Sequence, residues 1–371
     1  SQAGNADLAW ETSNKLDAGI SFGLLEDRIQ FEASYYYNEI DGLVLNVPQA
    51  PSKGIPNNVI PANIGSMFNK GVELTLTSYN ISKKDFQWNT SLNVTTLKNE
   101  VTALAPGVEF LIGTSQLEVT NRTLVGHPIG MIWGVQTEGV DPQTGRRVFL
   151  RRNINPATKE VTYSKVYYNH QPGTPTFGWR NEDGTTSRGI NITDDGVALG
   201  SPIPKVYGGI DNNLTYKNWD LGIGLTYGLG FYIYNGSKAG LRDQRNWNNS
   251  VEVYEKAWKN PGDITDIPRP VWGDNISNGS SMVQSQNVEK GDYLKVRNLS
   301  LGYTFQNQLL GSAGIKSVRL YSQVFNAFVF TNYTGADPEI SSNGGANLTP
   351  GVDRNTIPQA RTVSAGLNIS F

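Results

Sequence analysis

The chain has 371 residues and a formal net charge of −2 at pH 7, and only 17% of its residues are charged. This near-neutral charge excludes the basic surface of a nucleic-acid-binding domain, and the absence of cysteine excludes disulfides, thiolate metal sites and cysteine nucleophiles. The 10% of aromatic residues excludes a disordered polypeptide, and no apolar run approaches the ~20 residues of a membrane-spanning helix.

Side chains alternate between apolar and small or polar types along most of the chain, most clearly over 219–232. Because successive residues of a strand point to opposite faces, this alternation predicts strands with one apolar face and one small, polar face. In chain order, the predicted strands are 9–25, 28–42, 69–82, 86–99, 130–140, 146–168, 203–217, 219–232, 291–305, 315–330 and 359–371.

The predicted connections alternate between short turns and long loops. Short turns are predicted at 26–27, 82–85 and 217–218. The predicted long loops are 43–68, 169–202, 236–290 and 331–358. Such alternation, with strands long enough to cross a ~25 Å apolar band, is typical of an all-β, transmembrane antiparallel β-barrel of the bacterial outer membrane. The alternative is a soluble β-sandwich, whose strands also alternate, whereas a propeller or β-helix would need a fixed-period repeat that is not found.

The sequence does not predict an enzyme. Residues 19–23 match the G-x-S-x-G pattern of a nucleophile elbow, but that motif needs a strand–turn–helix context and here lies inside an alternating strand. The two histidines, His127 and His170, lie in different segments without a partner pattern for catalysis or metal binding.

One loop has a partial Ca²⁺-binding pattern. Residues 181–184 read Asn-Glu-Asp-Gly, as near the start of an EF-hand loop, but Trp179 and Ile190 occupy positions where oxygen ligands are needed. Asp194, later in the same loop, could supply a missing ligand. The candidate Ca²⁺ ligands are therefore Asn181, Asp183 and Asp194, the alternative is a plain turn, and no other cofactor is expected.

Two long loops carry the residues that suit ligand binding. Tryptophan faces stack on sugar C–H surfaces or on peptide side chains, while amide, carboxylate and guanidinium groups hydrogen-bond hydroxyl and amide groups. The candidate ligand-binding residues are Arg245, Trp247, Asn248, Trp272 and Asp274 in the first loop, and Tyr333, Asp337 and Arg354 in the second. The alternative is that the first loop packs on its own aromatics, with a short helix over 247–259 that turns Val251, Tyr254 and Trp258 inward.

Several short motifs in fixed order resemble the barrel of SusC/RagA-type TonB-dependent outer-membrane transporters. They are Asn5–Glu11, Tyr35–Asn38, Asn69–Leu74, Val125–Gly130, Gly200–Lys205, Tyr293–Tyr303, Asp337–Glu339 and the terminal Phe371. This resemblance implies a 22-stranded barrel with a plug domain. About 11 of those strands are predicted here, so residues 1–371 are expected to be the C-terminal half of the barrel, without the signal peptide, TonB box and plug.

The resemblance also implies a function. It is TonB-dependent import of an oligomeric nutrient, a glycan or a peptide, across the outer membrane of a Gram-negative bacterium of the Bacteroidetes. The implied partners are a SusD-like surface lipoprotein, the N-terminal half of the barrel with its plug, the TonB–ExbB–ExbD complex acting through that plug, and outer-membrane lipid. The alternatives are a passive porin or structural barrel, and a soluble carbohydrate-binding β-sandwich.

Overall fold

A computed structural model describes residues 4–116, 118–306 and 314–371. Ten of its strands form one large sheet: β1 (Thr12–Leu24), β2 (Ile29–Pro48), β3 (Val59–Ser82), β4 (Phe86–Thr96), β5 (Lys98–Ala103), β14 (Val206–Tyr216), β15 (Trp219–Leu229), β18 (Tyr293–Gln306), β19 (Ser317–Thr331) and β21 (Thr362–Ser370). The shorter strands are β6 (Phe110–Ser115), β7 (Glu118–Leu124), β8 (Met131–Val135), β9 (Thr137–Val140), β10 (Arg147–Ile154), β11 (Val161–Asn169), β12 (Gly178–Asn181), β13 (Gly196–Gly200), β16 (Tyr232–Asn235), β17 (Val288–Lys290) and β20 (Val352–Asp353). The helices are α1 (Gly236–Leu241), α2 (Val251–Lys256) and the 3₁₀ turns Pro51–Lys53, Pro56–Asn58 and Ser285–Asn287.

The large sheet is antiparallel throughout and open. Its order is β1-β2-β3-β4-β14-β15-β18-β19-β21, with β5 paired to the first half of β3. Strands β1 and β21 are the two edges. The all-β, antiparallel fold predicted from the alternation is confirmed, and short turns lie at one rim of the sheet while the long connections lie at the other.

Register places apolar side chains opposite one another across the sheet. Leu225 lies opposite Ile210 on one side and Val296 on the other. This apolar face has no cover, because residues such as Ile20 and Leu367 keep 61% and 53% of their surface exposed. An uncovered apolar face of this size is unfavourable in water and favourable against lipid chains.

Aromatic side chains cluster on this face near the short-turn rim. Trp219 and Tyr303 have ring centroids 4.8 Å apart, and Tyr303 and Phe305 have centroids 4.7 Å apart. The outward residues continue to Leu229, roughly 33 Å along the strand at ~3.3 Å per residue. At a tilt of ~45° that length covers roughly the ~25 Å apolar band of an outer-membrane barrel, which places these aromatics at its interface.

The opposite face is built from glycine and small polar residues. Asp220 and Arg319 form an ion pair across this face. Gly366 is required here because the ring of Tyr321 lies directly on it, and a Cβ at that position would come 2.3 Å from the ring. An aromatic ring that lies over a glycine of the next strand packs the two strands together and leaves the space in front of the polar face open.

Two strand predictions were wrong in detail. The segment 130–140 contains two strands, β8 and β9, which belong to different small sheets, and 146–168 contains a hairpin of β10 and β11. That hairpin turns at Asn155, whose side chain accepts hydrogen bonds from the N–H groups of Ala157 and Thr158. Alternation continues on both sides of such a turn, so periodicity alone did not detect it. The predicted loop 43–68 is also mostly strand, since β2 and β3 extend until only residues 49–58 connect them.

The hydrophobic core lies outside the large sheet, in the long connections. Residues 97–205, 230–292 and 332–361 together form what we call the loop cap. One core cluster joins Ile132, Tyr234, Val283 and Val352, so all three connections contribute to it. Neither helix of the described chain has the length and apolar character needed to cross a membrane.

Candidate functional site

The loop cap is tied together by a small sheet. Strand β16 pairs with β17 on one side and, in parallel, with β20 on the other, so that it joins two of the three connections. The third connection joins through a bridge between Val135 and Gln284. The cap is therefore a packed body above the sheet that can hold surface side chains in fixed positions.

Backbone hydrogen bonds bring the two tryptophan-bearing segments side by side. The N–H of Gly273 donates to the carbonyl of Gln244 at 3.0 Å, and the N–H of Gln244 donates to the carbonyl of Asp274 at 3.2 Å. The buried Asp274 carboxylate accepts from the N–H groups of Ile276 and Ser277. Asp274 thus shapes the turn that presents Trp272.

Trp247 and Trp272 form an exposed pair on this surface. Their ring centroids are 4.7 Å apart with an interplanar angle of 42°, and the residues are 90% and 60% exposed. Asn248 is exposed beside the pair, and the Arg245 guanidinium is held by Asp243 at 2.6 Å. Burial alone would raise the pKa of Asp243, but hydrogen bonds from Arg245 outweigh burial and lower that pKa.

Helix α2 borders a groove next to the pair. Val253 in the helix and Ala257 just after it are buried, whereas Val251 and Tyr254 are 69% and 82% exposed, so the prediction that Val251 and Tyr254 turn inward was wrong. Trp258 does pack inward: its ring lies over Gly145 and its Nε1 donates to the carbonyl of Pro142. The groove, of about 590 Å³, is lined by Trp247 and Tyr254 among others.

The remaining predicted ligand-binding residues lie inside the cap with protein partners. The Tyr333 hydroxyl donates to Asp353 at 2.6 Å. Burial is the main reason that the pKa of Tyr333 lies far above its usual value, and the Asp353 carboxylate is the second. The Arg354 guanidinium pairs with Glu118, which belongs to another connection. The first contact lies within the last connection, and the second binds that connection to the first one.

Asp337 belongs to a buried charge network. Its carboxylate lies 3.1 Å from Lys295 Nζ, and both residues are almost fully buried. Glu339 pairs with Lys295 and Arg297 and accepts a hydrogen bond from Tyr293. A bulge in β18 at Arg297 turns these cations toward the inner face. Two motifs that were singled out separately in the sequence, 293–303 and 337–339, therefore meet in one site.

The candidate Ca²⁺ ligands make local turn contacts. Asp183 Oδ1 accepts from the N–H and the hydroxyl of Thr185, and Asp194 accepts from the Asn191 side chain. The side-chain amide of Asn181 donates to Thr185. Within 4–116, 118–306 and 314–371, no group of three or more histidine and carboxylate side chains could hold a metal ion. Ca²⁺ binding stays a prediction.

Sequence reasoning missed a cationic cleft in the cap. This cleft, of about 700 Å³, lies on the other side of α2 from the groove. Its cations are Arg147, Lys238, Arg242 and Lys256, and its acidic residues are Glu252 and Asp266. These residues come from four separate stretches of chain, so no local sequence motif predicts the cleft. The Arg146-Arg147 pair after the Asp141–Gly145 turn is the one local signal.

Comparisons with known proteins give a consistent family. Residues 1–146 match the family model described as "TonB dependent receptor-like, beta-barrel". The chain is 30% identical over 375 residues to TonB-dependent receptor P3 of Formosa agariphila, and 28% identical over 377 residues to TonB-dependent receptor SusC of Bacteroides thetaiotaomicron. These alignments cover 99% and 100% of this chain but only 35% and 33% of the relatives, so the chain spans about a third of their length.

A solved structure shares the fold. The RagAB peptide transporter structure matches 100% of this chain with a TM-score of 0.76 and 22% sequence identity. The match covers 36% of that chain. At this level of identity the similarity concerns the fold.

Proposed function

We propose that this chain forms the C-terminal half of an outer-membrane transport barrel. The family match and the relatives confirm its resemblance to SusC/RagA-type TonB-dependent receptors. In this proposal the whole protein imports an oligomeric nutrient, a glycan or a peptide, across the outer membrane of a Gram-negative bacterium. The open edges of the large sheet support the presence of further strands, because unsatisfied backbone groups are not tolerated in hydrocarbon.

The exposed tryptophan pair is the observation that carries the proposal. Trp247 and Trp272 stand on a packed cap at the long-loop rim, which in a barrel of this layout faces outward from the cell. Two indoles in tilted contact offer an apolar surface with polar edges, and Arg245 and Asn248 add hydrogen-bond donors beside it. Such a surface suits an oligomer with alternating apolar and polar patches.

The source of energy for transport and the partner that covers the barrel are further parts of this proposal. TonB would act on a plug carried by the rest of the protein, and a SusD-like surface lipoprotein would close the barrel over the cap. The support is the similarity to SusC and the shared fold with the RagAB transporter. The passive porin or structural barrel is the alternative.

A substitution series in the intact protein tests the role of the tryptophan pair. Trp247→Ala combined with Trp272→Ala should reduce uptake of labelled oligosaccharides or peptides by at least tenfold while leaving heat-resistant migration of the barrel on gels unchanged. Trp10→Ala is the matched control, because Trp10 is 96% exposed and lies outside the pair. Unchanged uptake in the double variant would contradict the assignment, and loss of the barrel would identify the pair as structural.

Deletion of TonB separates active import from passive diffusion. Uptake through the intact protein should fall to background in a strain without TonB and recover on complementation. Uptake that continues without TonB would favour the porin alternative.

A further inference from the structure

Arg147 is a buried cation without a carboxylate partner among the described residues. It is 1% exposed, its Nε donates to the carbonyl of Ser277 at 3.0 Å, and its Nη2 donates to the carbonyl of Asp266. Its Nη1 makes no hydrogen bond within the described parts of the chain. Because burying a charge without a counter-charge is costly, an arginine buried in this way favours a negative group supplied from outside these residues.

The surroundings of Arg147 make its positive charge less stable unless an anion is bound nearby. The pKa of the Arg147 guanidinium is lowered to about 9: burial is the main cause, Asp266 and Asp274 act against it, and the neighbouring Arg242 acts with it. At neutral pH the group stays protonated. The positive charge is therefore present and is not neutralised by contact.

The other cations of the cleft differ in how far they are paired. Arg242 holds Glu252 at 2.6 Å, and Lys238 holds Glu289 at 3.1 Å. Lys256 lies 3.8 Å from the same Glu252, and its side chain is 65% exposed. The four cations of the cleft face three carboxylates, Glu252, Asp266 and Glu289, so the cleft keeps an excess of positive charge with Arg147 at its wall.

We propose that this cleft binds a carboxylate carried by the imported oligomer, which makes the substrate an acidic glycan or an acidic peptide. The proposal rests on the proposed function, and it narrows the substrate class. Arginine suits this role because its guanidinium stays charged and makes strong, charge-assisted hydrogen bonds to carboxylates, and Nη1 of Arg147 keeps its donors for such a bond. Helix α2 separates the cleft from the tryptophan groove, since Glu252 and Lys256 line the cleft while Val251 and Tyr254 line the groove. One oligomer can thus place an anionic group in the cleft and an apolar face on the tryptophans.

Matched acidic and neutral probes test the proposal on the intact purified protein. We would measure binding by calorimetry of tetraglutamate against tetraglutamine, and of tetragalacturonate against maltotetraose. We expect at least one acidic probe to bind at least tenfold more tightly than its neutral counterpart, with binding weakened by added salt. The probe that binds identifies peptide or glycan as the source of the anion.

Variants then localise the binding. Lys256→Glu should weaken the acidic probe at least fivefold, and Arg147→Lys should weaken it while the cap stays folded, as checked by protease resistance. Lys53→Glu is the matched control, because Lys53 is an exposed lysine at the same rim that does not line the cleft. Equal binding of acidic and neutral probes, an unchanged affinity in Lys256→Glu, or no probe binding at all would overturn the proposal. TonB-dependent uptake sensitive to the tryptophan substitutions would then still support the proposed function, so the two failures are distinguishable.

Discussion

At the residue scale, buried charged side chains of the cap and of the large sheet connect segments that are distant in the chain. Lys295 joins β18 to Asp337 and Glu339 in the last long connection. A buried ion pair adds little over an apolar contact of equal shape, but removing one partner leaves the other charge uncompensated.

Lys295→Met should therefore destabilise the intact protein by about 3–5 kcal/mol, because it leaves the buried Asp337 without its cation, while Glu339 keeps Arg297. Denaturant titration of the protein folded into lipid vesicles measures this change. Lys84→Met, at an exposed turn lysine, is the control and should be close to neutral. If Lys295→Met lowers the free energy of unfolding by less than ~1 kcal/mol, solvent reaches the Lys295–Asp337–Glu339 charge network.

Glu289 makes the cap sensitive to acid. Burial alone would raise the pKa of Glu289, but hydrogen bonds from the Thr334 N–H and hydroxyl, together with Lys238, lower it overall. A carboxylate with a lowered pKa in the folded state stabilises that state above the unfolded pKa of ~4.3, and this contribution is lost as pH falls through the folded value.

Protease resistance of the cap should accordingly be constant from pH 7 to 5 and decline below about pH 4.3. Glu289→Gln should remove part of this decline and lower resistance at pH 7, whereas Glu109→Gln, at an exposed position of the cap, should leave the profile unchanged. An identical pH profile for Glu289→Gln and the parent would contradict the assignment.

At the scale of the strand, the two faces of the large sheet meet different surroundings. Leu299 and Ser300 are neighbours near the middle of β18, and their partners in β15 are Ile223 and Gly222. The first pair belongs to the uncovered apolar face and the second to the small, polar face.

Leu299→Arg should cost about 2–4 kcal/mol of folding free energy in vesicles, as for a cation at the bilayer midplane. Ser300→Arg is the matched control on the opposite face and should cost far less, since Gly222 leaves room beside it. Equal folding yields of the two variants would show that the faces are assigned wrongly.

At the scale of the whole molecule, the open sheet requires partners for β1 and β21. Among the described residues their outer edges have no pairing strand, and each unpaired N–H or C=O group costs several kcal/mol in hydrocarbon. We infer that both strands pair with strands outside this segment.

Residues 1–371 expressed alone should therefore aggregate in vesicles, and a protease-resistant barrel should form only when the remaining part of the protein is supplied. Gel migration with and without heating distinguishes the two states, and the full-length protein is the positive control. A monodisperse barrel from this segment alone would contradict the half-barrel proposal and favour a small porin.

Much of the sheet was predictable from local pattern. Alternation identified the faces of β15 and β21, and the turns at 26–27 and 217–218 were located correctly, because strand periodicity and turn chemistry are properties of neighbouring residues. The ordered motifs also pointed to the same proteins that the comparisons found, since such motifs are read directly along the chain.

The site was decided by the tertiary structure. The sequence marked Trp247 and Tyr333 as equivalent candidates, yet folding leaves the first 90% exposed and buries the second against Asp353. It offered no reason to associate Arg147 with Lys256, which line one cleft only because four distant stretches of chain, α2 among them, pack together. Exposure and charge pairing depend on contacts between residues far apart in the chain, and periodicity carries information only about near neighbours.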